Sequence, residues 1–199
     1  MPPIATPFAD AEDALAASLV PMMASRLLPA HTSAEGETSF IGRHFEAGFT
    51  RLRNGYALNI EIKPTPGQES LTGRLVAEQA ERWWAEHAAS QPGQPAPAPP
   101  LLTSFRVAAL AAAQAAAPSL PRGLLLHEFW DGWQEAAQSL GCAALVCHHP
   151  LWTPERIAQA HAQGWRALAY TVNQAAEAEQ LLDWGLDGVI TDRIDLLGP

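Results

Sequence analysis

Positive charge is scarce in this chain. Its 199 residues carry 12 Lys and Arg against 21 Asp and Glu, a net charge of −9. That deficit argues against nucleic-acid binding through a basic face. Any phosphate site would have to be a local positive island on an acidic background. Cysteine is scarcer still, with only Cys142 and Cys147. They flank a short apolar run and lack partners at metal-ligand spacing, so buried thiols in a reducing cytoplasm are expected over a disulfide. No stretch approaches ~20 apolar residues without charge, so no membrane span is expected. Met1-Pro2-Pro3-Ile4 has neither a basic region nor a continuous apolar core after it, and no signal peptide is read there. A cytoplasmic location is the resulting expectation. No Gly-x-Gly-x-x-Gly follows a strand pattern, which counts against a Rossmann-like binding domain.

What is present is globular. Hydrophobic residues make up 48 % and charged residues 17 %, enough apolar material for one sizeable core in a chain of this length. From residue 55 onward, short apolar runs alternate with helical patterns. Strands are expected at 57–62, 101–104, 123–126, 143–147, 167–172 and 188–191. Between them, Val76, Ala80, Trp83 and Trp84 repeat at helical spacing, and 105–117 and 131–140 follow as further helices. A fourth helix has Thr153 as N-cap and Pro154 at its first position, and stops at Gly164. A fifth runs from Asn173 to Gly185. Strands alternating with helices predict a parallel sheet, either doubly wound or most of an eight-stranded barrel. Residues 91–100, QPGQPAPAPP, are expected as an extended loop. Residues 1–50 read differently, as an atypical N-terminal segment with alanine-rich patches and no clear strand.

The most informative stretch is Asn59-Ile60-Glu61-Ile62-Lys63-Pro64-Thr65-Pro66. Strand alternation puts Glu61 and Lys63 on one face. Pro64 cannot continue the ladder, so both charges fall at the C-terminal end of the strand, where barrel enzymes keep their chemistry. Such a pair can hold a divalent cation and an anionic substrate side by side. A surface ion pair on an edge strand fits the same eight residues.

Further motifs decide between these readings. Leu101-Leu102-Thr103-Ser104-Phe105, Pro121-Arg122-Gly123-Leu124-Leu125-Leu126, Tyr170-Thr171-Val172-Asn173 and Gly185-Leu186-Asp187-Gly188-Val189-Ile190-Thr191-Asp192 follow in order. With 59–64, they resemble the C-terminal part of a small bacterial cytoplasmic glycerophosphodiester phosphodiesterase, over residues 51–199. The resemblance implies a (β/α)8 TIM-type barrel, here incomplete with about six parallel strands. It implies cleavage of small-molecule glycerophosphodiesters to glycerol 3-phosphate and an alcohol, in lipid and glycerol metabolism, with Mg²⁺ or Ca²⁺. It makes Glu61 a metal ligand, Lys63 a neighbour of the substrate phosphate, and Phe105 and Tyr170 pocket walls. A carboxylate suits either hard cation, and a lysine adds positive charge where the transition state needs it.

The family's other motifs are missing. A His-Arg pair closing the first strand, a Glu-x-Asp on the second and a His-Asp soon after would supply acid/base histidines and further metal carboxylates. Arg43-His44 is reversed, Asp10-Ala11-Glu12-Asp13 lies in a helical pattern, and His31 precedes Thr32. No catalytic residue is therefore assigned. A complete barrel needs ~250 residues. Losing one positioned acid/base group removes roughly 10²- to 10⁴-fold in rate. His148 and His149 end a strand on the correct rim but suit a structural role as well, and Asp192 is expected to cap a turn with Thr191. Two outcomes remain: an impaired phosphodiesterase, or a non-catalytic remnant that binds a phosphoester or a protein. Open sheet edges lead further to an expectation of self-association.

Overall fold

The computed structural model describes residues 20–23, 58–89 and 98–197. These form seven parallel strands in one curled sheet whose spatial order follows the sequence. The strands are β1 (Val20–Met23), β2 (Leu58–Glu61), β3 (Leu101–Ser104), β4 (Arg122–Leu126), β5 (Ala144–His148), β6 (Arg166–Tyr170) and β7 (Gly188–Val189). Helices α1 (Glu69–Ala89), α2 (Val107–Ala116), α3 (Trp133–Ser139), α4 (Pro154–Ala162) and α5 (Ala175–Asp183) connect β2 to β7. A short α6 (Ile194–Leu197) follows β7. The architecture is a partial TIM-type barrel, and all six expected strands are present.

The correction lies at β1. Residues 1–50 are read above as having no clear strand, yet Val20–Met23 pairs in parallel with β2, Met23 standing in register with Glu61. Pro21 hides it, because a proline removes a ladder donor and breaks the strand pattern. The alanine-rich patch at 11–19 and Arg43-His44-Phe45 lie outside the described residues, as does most of the 91–100 loop.

Period-two alternation sorts the sheet into two layers. Leu58, Ile60, Ile62 and Leu102 face outward and pack with Val76, Ala80 and Ala109 of α1 and α2. Leu124, Leu126, Leu145, Cys147, Ala167 and Ala169 face outward beneath Ala137, Ile157 and Leu181 of α3, α4 and α5. The alternate residues Leu101, Leu125, Val146, Leu168 and Ile190 form the inner layer. Helix α1 lies very close to α2: a Cβ at Gly73 would fall 2.1 Å from the Ala109 carbonyl oxygen. Glycine is required there by space rather than by backbone angle. Thr153 caps α4 by accepting from the Arg156 amide at 3.3 Å. Pro150 turns the chain in a short 3₁₀ segment, His149–Leu151.

Two polar anchors close the N-terminal end of the sheet. Arg122 is buried, and its guanidinium donates to the carbonyls of Leu140 (2.9 Å) and Leu120 (2.7 Å). Burial among neutral acceptors lowers its pKa, with Cys142 acting the other way. Asp187 accepts from the Arg166 guanidinium (2.6 Å) and the Ala167 amide (2.7 Å), and pairs with His161 Nε2 at 2.8 Å.

Candidate active site

The inner-face residues one step above the inner core layer reach the C-terminal rim. From β2 these are Glu61 and Lys63, whose Oε2 and Nζ lie 3.3 Å apart. Asn59, one layer below on the same strand, is buried and accepts from Thr103 Oγ1 at 2.9 Å, which ties β2 to β3. Ser104 Oγ donates to the Ile62 carbonyl at 2.6 Å and holds the chain straight past the end of β2. Glu61 is mostly buried while Lys63 keeps about a third of its side chain exposed.

Phe105 follows β3 and Tyr170 ends β6, and their rings meet edge to face at 5.7 Å. Burial raises the Tyr170 phenol to a pKa of about 12, with smaller contributions from Cys147 and Glu61. The Glu61 contribution means that this carboxylate and the phenol share one electrostatic environment. The four residues singled out from the sequence, Glu61, Lys63, Phe105 and Tyr170, thus gather at one rim.

Two imidazoles share that rim. His148 is the last residue of β5 and alternates with Val146 to face inward. His127 follows β4 and alternates with Leu125. Their rings stack with centroids 4.7 Å apart and planes 19° from parallel, and His148 lies 6.0 Å from Tyr170. His127 escaped the sequence reading. The signal was there, because it stands two residues beyond Leu125 in an apolar run that ends at the rim. His149 turns outward in the 3₁₀ segment, its Nδ1 2.6 Å from Glu177 Oε1 of α5.

Asp192 corrects an expectation. Its turn is organised by Asn173, whose Oδ1 accepts from Thr191 Oγ1 at 3.1 Å and from the Asp192 amide at 3.0 Å. The cap of the next turn is Thr191 alone, which accepts from the Arg193 amide at 2.9 Å. Asn173 is thereby kept out of α5, which starts two residues later than expected.

The metal expectation fares less well. No group of three or more His, Cys, Asp or Glu side chains among the described residues could hold a metal ion. Glu61 is a single carboxylate already opposed by Lys63. Mg²⁺ and Ca²⁺ need more oxygen ligands than this, so the described residues do not by themselves fit the ion.

A family model, the Glycerophosphoryl diester phosphodiesterase family, matches residues 44–196. The chain belongs to that family. Its match begins before residue 51, inside the segment read above as atypical. Among solved structures, an Oleispira antarctica phosphodiesterase in complex with the product sn-glycerol-3-phosphate is 31 % identical with a TM-score of 0.62, covering 74 % of this chain and 56 % of its own. A glycerophosphodiester phosphodiesterase from Parabacteroides distasonis is 18 % identical with a TM-score of 0.58, covering 79 % and 60 %, and supports the fold. A Mycobacterium tuberculosis protein carrying the name "Probable glycerophosphodiester phosphodiesterase 2" is 46 % identical over 48 residues, 24 % of this chain and 18 % of its own length. The family chain described here thus spans little more than half of its solved relatives. No helix among the described residues is long and apolar enough to cross a membrane.

Proposed function

We propose that this chain binds glycerophosphodiesters at the C-terminal rim, and that hydrolysis to glycerol 3-phosphate and an alcohol is impaired in the chain as it stands. The single observation behind the reading is the Glu61–Lys63 pair at the end of β2, gathered with Phe105 and Tyr170 on the inner face of a family barrel. Lys63 is the cation that meets the substrate phosphate, a point charge available to each non-bridging oxygen. Phe105 and Tyr170 wall the pocket and keep water from its apolar side. Glu61 holds Lys63 in place and is the first oxygen ligand of any divalent cation that a fuller donor set completes.

The impairment follows from the donor set. One carboxylate does not make a Mg²⁺ or Ca²⁺ site. Among the described residues no general acid or base is positioned at the Glu61–Lys63 pair, and roughly 10²- to 10⁴-fold in rate is lost for each such group. The reading therefore favours binding over turnover, and a place in lipid and glycerol metabolism.

The experiment is calorimetric titration of the purified chain with sn-glycerol 3-phosphate, beside a hydrolysis assay on glycerophosphocholine with Mg²⁺ or Ca²⁺. Saturable binding that Lys63→Ala weakens at least tenfold is expected, with turnover at least a hundredfold below a full-length relative. Binding indifferent to Lys63→Ala would sink the site. Turnover within tenfold of the relative, abolished by Glu61→Gln, would sink the impairment.

A further inference from the structure

Four histidine side chains are described, and they divide sharply. His149 is matched with Glu177 at 2.6 Å and His161 with Asp187 at 2.8 Å. The two that face the barrel mouth, His127 and His148, meet no carboxylate through a hydrogen bond or ion pair among the described residues. They stack on each other, and His148 also meets the His149 ring edge to face at 5.0 Å. Two of the acids near them are committed elsewhere. Glu177 is taken by His149 and Glu61 by Lys63. Tyr170 stays neutral and donates its proton to the Leu126 carbonyl. Cys147 points outward and keeps its proton to about pH 12. Glu128, next in the chain to His127, and Asp131 are exposed carboxylates on that segment.

Two imidazolium rings at this separation would repel each other, and an anion beside them would offset that repulsion. With an anion present, each ring offers a charge-assisted N–H donor. Burial already disfavours the charged form of His148, and His127 and His149 disfavour it further, against an opposing contribution from Glu177. The pair thus presents two ring N–H groups that suit an anion.

We propose that His127 and His148 form an anion subsite at the mouth, beside Tyr170, which selects glycerophosphodiesters whose alcohol half carries a further negative group such as a phosphate. This rests on the phosphodiester-binding reading above, with the diester phosphate at Lys63. Tyr170 is the link: it lies against Phe105 on one side and 6.0 Å from His148 on the other. A substrate reaching from Lys63 past the Phe105–Tyr170 wall places its alcohol half at the imidazoles. A positively charged head group gains less there, because it forgoes the charge-assisted N–H donors that an anion would receive.

The test uses a matched pair of probes, glycerophosphoglycerol and its terminally phosphorylated counterpart, titrated into the full chain. The phosphorylated probe is expected to bind at least tenfold more tightly. The double variant His127→Gln/His148→Gln should abolish that preference and leave the unphosphorylated probe within twofold of its original affinity. In the unaltered chain, the phosphorylated probe should move the C2-proton resonances of His127 and His148 toward their protonated positions, and leave that of His161 in place. This needs no variant to fold. Equal affinity for both probes with both dependent on Lys63 would overturn the subsite and leave the binding reading standing. If neither probe binds, both readings fall. If inorganic phosphate alone reproduces the histidine shifts at the same affinity, the pair is a free-phosphate site and head-group selection is overturned.

Discussion

Tyr170 donates its phenolic proton to the carbonyl oxygen of Leu126 at 3.0 Å, reaching from β6 to β4 across the end of β5. The bond spans a strand that neither partner belongs to, so it sets the spacing of three strand ends at once. Tyr170→Phe keeps the ring contact with Phe105 and loses only this bond. The expected result is a loss of about 0.5–1.5 kcal/mol in urea unfolding, with a changed affinity for glycerol 3-phosphate because the wall of the site loosens. An unchanged unfolding midpoint would show that the bond contributes nothing in solution.

Asp187 organises the opposite end. Its carboxylate is mostly buried and serves a guanidinium, an imidazole and a backbone amide together. Asp187→Ala strands the Ala167 amide and separates Arg166 from its partner. Charge-assisted bonds of this kind are worth about 1.5–3 kcal/mol, and a loss in that range is expected from thermal or chemical melts. Ligand affinity at the far rim should move less than twofold in the folded fraction, which calorimetry below the melting transition would read. The aspartate of the Gly-Leu-Asp-Gly motif would then be structural.

Alkali should destabilise this fold over a defined window. Burial holds Cys142, Cys147 and Tyr170 near pKa 12, against 9.0 for a free thiol and 10.0 for a free phenol. All three pKa values are raised, so the unfolded chain loses these protons first. Their contribution to stability is complete below about pH 9 and disappears as the pH rises from 9 toward 12. Urea midpoints measured at intervals from pH 7 to 11 should be level at first and then fall. A flat profile to pH 11 would mean that the thiols reach solvent. Cys147→Ala should flatten part of the slope.

We expect the chain to self-associate. Among the described residues, β1 and β7 are the outermost strands of the sheet, and each has one side unpaired. Unpaired backbone at a sheet edge templates association, and Leu196 and Trp184 add exposed apolar surface near the β7 side. Sedimentation velocity across a tenfold range of concentration should reveal a rising average mass. A single monomeric species throughout would count against open edges in solution.

The six strands from β2 to β7 were legible because each is an apolar run bounded by glycine, proline or a helix cap, and β3 fell at its expected limits. β1 was not, since four residues including Pro21 carry too little pattern to stand out among alanines. The shared rim position of Glu61, Lys63, Phe105 and Tyr170 was legible through spacing and motif together. His127 and the His149–Glu177 pair were not. The first needed the alternation of Leu125 to be followed one step past the strand, and the second joins residues on separate elements that no local spacing relates. Asn173 was misjudged as a helix start because its side chain answers to Thr191 and Asp192, a tertiary demand that overrides a capping preference.

The two buried polar anchors and the proposed binding residues occupy opposite ends of this molecule. Arg122 and Asp187 complete their bonding with nearby backbone and side chains at the lower rim, and the outer apolar layer seals itself against the helices without using one residue from the mouth. Glu61, Lys63, His127 and His148 add little to either. Change at these four residues, unlike change at Tyr170, is then nearly silent in a melting curve. Such a chain can lose a reaction, or exchange one ligand for another, through a series of intermediates that all remain folded.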